Sequence, residues 1–237
     1  MKWAAVIGGV ALAALASLPA GAADITPGAQ PAIPARSAYI PVRFMWTGFY
    51  LGAGVGYASG SASFNDPFVA PTVGSPLYKG LLVPGIMGLN YQFDTVVLGV
   101  EGDFTGSWMK GSTIDSTGNN LQTEIFWTAS ITGRLGLAFD RVLLYGKGGV
   151  AFDYDRDTVL VLPGGTQAQG STNRVGWSVG GGVEYAVTEH WTARLEYDHF
   201  KFPVKGFILQ GSTIPPSITG GVGLTFNELK GIMAYKF

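Results

Sequence analysis

Residues 127–152 read WTASITGRLGLAFDRVLLYGKGGVAF. Before the middle of this stretch, Trp127, Ala129, Ile131, Leu135, Leu137 and Phe139 fall on one parity, and Thr128, Ser130, Thr132, Arg134 and Gly136 on the other. Beyond it, Val142, Leu144, Val150 and Phe152 stand opposite Tyr145 and Lys147. Side chains of a strand point alternately to its two faces, so a period of two predicts two strands, each with an apolar and a polar face. Phe139-Asp140-Arg141 between them is a tight turn, which makes the pair an antiparallel hairpin.

The same pattern recurs on both sides. Phe49, Leu51, Ala53, Val55 and Tyr57 alternate with Tyr50, Gly52, Gly54 and Gly56. Met87, Leu89, Tyr91 and Phe93 alternate with Gly88, Asn90 and Gln92, and Val96, Leu98, Val100 and Phe104 stand against Gly99, Glu101 and Asp103. Val175, Trp177, Val179, Val183 and Tyr185 oppose Arg174, Ser178 and Glu184. Trp191, Ala193, Leu195 and Tyr197 oppose Thr192, Arg194, Glu196 and Asp198, and Leu229, Met233, Tyr235 and Phe237 oppose Glu228, Lys230 and Lys236. In the last segment Ile232 falls on the polar side and Phe226 is out of step, which predicts a bulge above Leu229.

An all-β chain of this kind is either a soluble sandwich or a membrane barrel. Hydrophobic residues make up 47% of the 237 residues and charged ones only 13%, about half the charged share of soluble domains. Past the N-terminus no run approaches the ~20 apolar residues of a membrane-crossing helix. The apolar face carries no Lys, Arg, Asp or Glu, whereas the other face collects both signs and much glycine and serine, as a narrow lumen requires.

Connection lengths point the same way. Tight turns at Phe93-Asp94-Thr95, Phe139-Asp140-Arg141 and Val187 to His190 alternate with long connections around Ser59–Leu81, Gly106–Gln122, Asp153–Asn173 and Phe200–Gly220. Outer-membrane barrels have short periplasmic turns and long external loops. Aromatic residues form two belts, as expected at the two headgroup levels. Trp46, Phe49, Tyr91, Phe93, Phe139, Tyr185, Trp191, Tyr235 and Phe237 lie near the short turns; Tyr57, Phe104, Trp127, Phe152, Trp177 and Tyr197 lie toward the long connections. Hydrocarbon offers no partner to a free sheet edge, so the strands, about eight, must close into one antiparallel barrel.

The N-terminus has its own organisation. Residues 1–22 read as a secretory signal peptide: Lys2, a short apolar core, then small residues with cleavage after Ala22 or Ala23. Residues 23–45, with Pro27, Pro31, Pro34 and Pro41, read as a flexible periplasmic leader, and the barrel is expected over 46–237.

Residues 46–57, WTGFYLGAGVGY, resemble the opening strand of the small alphaproteobacterial outer-membrane β-barrel proteins, known as outer-membrane immunogenic or porin-family proteins. Residues 100–104 (VEGDF) and 133–149 (GRLGLAFDRVLLYGKGG) are similar to that family's central hairpins, and residues 234–237 (AYKF) to its last strand. The resemblance implies an OmpA-like eight-stranded barrel in the outer membrane with a structural or surface-antigen role. It also implies that Tyr235 and Phe237 form the C-terminal signal read by the barrel-assembly machinery, reached with periplasmic chaperones.

Glu101, Asp103, Arg134, Lys147, Glu184, Arg194, Glu196 and Lys230 are expected to project into the lumen. They form either an ion-selective lining or a salt-bridged plug; eight strands leave room only for side chains, which favours the plug. No enzyme site is legible. His190 lies at a tight turn, and His199 points away from its neighbour Asp198 because successive strand residues face opposite sides. The glycine runs lack nucleotide-binding spacing. With no cysteine and a formal charge of −1, neither a thiolate metal site nor a nucleic-acid surface is expected, and no cofactor is called for. A structural envelope barrel is the leading function; loop-mediated adhesion, binding of a ligand such as haem, or a small-solute channel are the alternatives. Oligomeric state is not encoded legibly. Leu98→Arg or Leu135→Arg should impair insertion by about 2–4 kcal/mol near the bilayer midplane, and Glu101→Gln should cost less.

Overall fold

A computed structural model describes residues 44–64, 77–114, 120–161, 166–208 and 219–237. The signal peptide, cleavage at Ala22 or Ala23, and the leader up to residue 43 lie outside the described residues. Eight strands follow in chain order: β1 (Gly48–Phe64), β2 (Leu77–Phe93), β3 (Val96–Ile114), β4 (Asn120–Phe139), β5 (Val142–Val161), β6 (Thr166–Ala186), β7 (Trp191–Ile208) and β8 (Thr219–Lys236). Each pairs antiparallel with the next, and β8 pairs back onto β1 to close the barrel. Closure leaves no sheet edge, the condition for β-structure in hydrocarbon.

Alternation decides which side chains face in. On β1–β3, Val55 is 70% exposed and Leu89 60%, whereas Tyr50 and Asn90 are each 4% exposed and Glu101 0%. The turns fit their sequences. Asp94 and Asp140 take φ of 52° and 53° at the two-residue β2–β3 and β4–β5 connections, where hairpin twist needs positive φ and Asp accepts it. In the β6–β7 turn the Thr188 hydroxyl accepts hydrogen bonds from the Trp191 and His190 backbone N–H groups at 3.0 and 3.3 Å.

Four expectations are corrected. Two of the long connections are mostly strand: β3 and β4 run to Ile114 and from Asn120, β5 and β6 to Val161 and from Thr166. The alternation there is blurred by irregularities in register at Gly106–Met109 and Ile125–Trp127; the second leaves Phe126 38% exposed beside the half-exposed Trp127. The final strand has no bulge near Leu229. Its register with β1 runs unbroken from Tyr50↔Lys236 to Phe64↔Val222; Phe226 and Ile232 both face the interior, Phe226 in the distal apolar cluster and Ile232 beside Tyr50, Ile86 and Ala234. The register shift near this strand lies at Phe202–Lys205 of β7.

The other two corrections concern the barrel's beginning. Trp46, expected in the outer belt, is 1% exposed and packs edge-on against Phe44 at 4.8 Å. Its backbone N–H donates to Gln92 Oε1 at 2.8 Å, and Lys236 Nζ donates to the Met45 carbonyl at 2.5 Å. The packed structure therefore reaches back to Phe44 rather than beginning at Trp46. An apolar residue just before a strand can follow either face, and here burial against Val97, Ala138 and Leu143 wins.

Candidate functional site

The interior is built in layers. At the short-turn end, Phe44, Trp46, Val97, Ala138, Leu143 and Ala186 form an apolar floor with Tyr145 above it. Toward the long hairpins, Tyr78, Leu82, Met109, Ile125, Phe200, Phe202, Leu224 and Phe226 form a second apolar layer. Phe200 and Phe226 stack in it with centroids 5.0 Å apart. Between the two lies the charge network.

All eight expected lumen charges are in that network, each 5% exposed or less. Glu101 on β3 is its hub. Glu101 Oε2 accepts hydrogen bonds from the Tyr50 hydroxyl at 2.7 Å and from Arg194 at 2.6 Å, and Oε1 accepts one from Lys147 at 3.1 Å. Arg134 pairs with Glu184, which also accepts from the Thr192 hydroxyl at 2.6 Å. Lys147 reaches Glu196 at 2.7 Å, and Lys230 reaches Asp103 at 2.9 Å and Glu196 at 3.2 Å. Two tyrosines brace the cations: the Arg134 guanidinium lies 3.7 Å from the Tyr145 ring centroid and that of Arg194 5.2 Å from the Tyr50 centroid, and Tyr145 donates to Glu196 at 2.6 Å. Buried charges persist only when so paired, because desolvation is otherwise too expensive.

Five further charges face inward: Arg174, Asp198 and Glu228 stand on the polar face in the sequence, and Asp153 and Asp155 lie in a stretch that reads as a loop. Asp198 and Glu228 share the inward register of Glu196 and Lys230, and lie 2.6 and 3.4 Å from Lys230 Nζ. Asp153 and Asp155 continue the parity of Lys147, in a stretch read as loop, and both pair with Arg174 of β6. Tyr50 and Tyr145, on the polar face in the sequence, donate their hydroxyls to Glu101 and Glu196. The inner-wall glycines have a spatial reason: the Tyr50 ring lies across Gly88, and the Tyr78 ring across Gly111, where a Cβ would collide with it.

Outside, Phe49, Tyr57, Tyr91, Phe93, Phe104, Phe139, Tyr185, Trp177, Trp191, Tyr197 and Phe237 are exposed, with Trp127, Phe152 and Tyr235 intermediate. At the short-turn end Tyr235 contacts Trp191 at 5.2 Å and Phe237 at 5.0 Å; on the opposite half Phe104, Trp127 and Tyr154 stack in series. His199 faces outward, 5.7 Å from Trp177 and 2.7 Å from Asn227 Oδ1, while its neighbour Asp198 is buried inside. Among the described residues no group of His, Cys, Asp or Glu could hold a metal ion.

The geometry has counterparts among known proteins. The sequence profile described as outer membrane protein β-barrel domain matches residues 4–226. The 31 kDa outer-membrane immunogenic protein of Brucella melitensis is 33% identical over 202 residues, covering 78% of this chain and 82% of the relative. A 22 kDa outer membrane protein of Rhizobium leguminosarum is 29% identical, covering 81% of this chain and 83% of the relative. Among solved structures, the outer membrane protein OprG of Pseudomonas aeruginosa matches with a TM-score of 0.50 at 12% identity, covering 81% of this chain and 96% of that one; at that identity the likeness concerns the fold.

Proposed function

The chain belongs to the family of outer membrane protein β-barrel domains, and from that premise we propose that it is a sealed structural barrel of the cell envelope. It sits in the outer membrane of a Gram-negative bacterium. Its short turns face the periplasm, its long hairpins stand outside, and its lumen carries no solute. One observation carries this reading: the ion pairs centred on Glu101, Glu184 and Glu196 lie between two apolar clusters, so among the described residues the interior is filled by paired side chains. A water-filled channel needs a larger circumference than eight strands supply. The role is mechanical and antigenic rather than enzymatic.

Strand length supports display. Strands of 17 to 21 residues are far longer than the ~9–11 residues that cross hydrocarbon, so each hairpin continues well past the upper aromatic belt. On this reading the outward aromatics form the two lipid-headgroup girdles. Tyr235 and Phe237, at the exposed end of β8, supply the signal for the barrel-assembly machinery, and chaperones deliver the chain after cleavage at Ala22 or Ala23. Planar-bilayer recording of the purified protein tests the seal. A flat trace under voltage is expected; stable unitary conductance would replace the structural role with a channel.

A further inference from the structure

The outer wall of β2–β5 is not evenly covered. Gly85 and Gly102 open a groove of about 590 Å³ on it, walled by Met87, Phe104, Ile131 and Phe152. A Cβ built on either glycine meets nothing nearer than 3.7 Å, so the groove exists because side chains are missing, not because backbone crowds it. Nothing inside the barrel fills a hollow on the outside. On a wall turned to hydrocarbon, its natural content is an acyl chain.

A charged row stands farther along the same strands. Lys79 of β2 is paired in register with Lys110 of β3, and Lys110 with Glu124 of β4. Like charges on directly opposed strand positions repel. Glu124 is 2.8 Å from Lys110 and relieves one of them; among the described residues no carboxylate pairs with Lys79. The row lies just beyond the exposed Leu81 and Trp108, on the long-hairpin side of the aromatic belt. From Lys79 to Gly85 is six residues of strand, about 20 Å at the usual rise. That separation suits a molecule with an anionic head and a long apolar tail.

We infer that this wall holds one phosphorylated, acylated lipid of the outer leaflet, its phosphate on Lys79 and Lys110 and a chain laid along the floor at Gly85 and Gly102. The inference rests on the hairpins being external. Glu124 orients Lys110 and at the same time weakens its pull on the phosphate, which gives the site a signed signature.

The test uses full-length protein exchanged into phosphatidylcholine nanodiscs, titrated with lipid A (a bisphosphorylated, acylated disaccharide) and read by native mass spectrometry. One retained lipid A per chain is expected. Lys79→Gln with Lys110→Gln should weaken retention by about fivefold for each lysine, Glu124→Gln should strengthen it, and Gly85→Leu with Gly102→Leu should weaken it with both lysines intact. Inorganic phosphate at millimolar concentration should fail to displace the lipid. Equal retention by all variants would overturn the inference, as would displacement by phosphate alone. So would efficient dimer formation by a Gly102→Cys variant under oxidation, which would give the groove to a second copy of the chain. Unheated and boiled gels of each variant report the barrel separately, so loss of the fold is distinguishable from loss of the site.

Discussion

Glu101 shows how much one residue can carry in this interior. Its two carboxylate oxygens serve Tyr50, Lys147 and Arg194, from strands that meet only through barrel closure. The structure therefore reverses the expectation that Glu101→Gln is mild. Removing one member of a buried ion network leaves the others charged and unpaired, at roughly 3–5 kcal/mol, comparable to or above the ~2–4 kcal/mol for Leu98→Arg or Leu135→Arg on the lipid face. Urea unfolding in lipid vesicles, followed by the mobility of unboiled samples, should rank Glu101→Gln at least level with the two arginine variants; a near-neutral Glu101→Gln would mean that the network is not held as described. Trp46 makes a second residue-scale test. In variants keeping a single tryptophan, brominated lipid should quench Trp177 and Trp191, which are 47% and 45% exposed, but not Trp46 at 1%. Quenching of Trp46 would return it to the outer belt.

At the scale of elements, the strands are longer than the membrane they cross, and the irregularities lie in their distal halves. The shifts at Gly106–Met109, Ile125–Trp127 and Phe202–Lys205 all fall on the long-hairpin side, where bulges increase twist and re-aim side chains. The period-two signal fades there, which is why these stretches read as loop in the sequence. The chain has no cysteine, so sidedness can be read from single introduced thiols. Ser112→Cys, on the distal part of β3, should react with a membrane-impermeant maleimide on intact cells; Glu189→Cys, in the β6–β7 turn, should react only after the outer membrane is breached. The reverse pattern would invert the barrel in the membrane. Glu189 is exposed and its ion pair is with the partly exposed Arg141, so its replacement should leave stability nearly unchanged.

For the molecule as a whole, closure is the property everything else depends on. A barrel whose edges are all paired opens cooperatively, so the protein should migrate faster in detergent gels before boiling than after; identical mobility would argue for an open or soluble sheet. What the sequence determined by itself is local: the face of the side chains in the regular halves of the strands, the tight turns around Asp94 and Asp140, and the strand order. Each follows from strand geometry and turn chemistry within a few residues, and the resemblance in residues 46–57 and 133–149 pointed to the same family. Only the tertiary structure decided which inward charges meet, since Arg194 reaches Glu101 across 93 residues of chain and that meeting depends on the register of the closed sheet. It alone also decided that Phe44 and Trp46 close one end and that Phe200 and Phe226 stack toward the other. Alternation states that a residue points inward, but the height at which it arrives is set by strand tilt and stagger summed around the barrel, which no single segment contains.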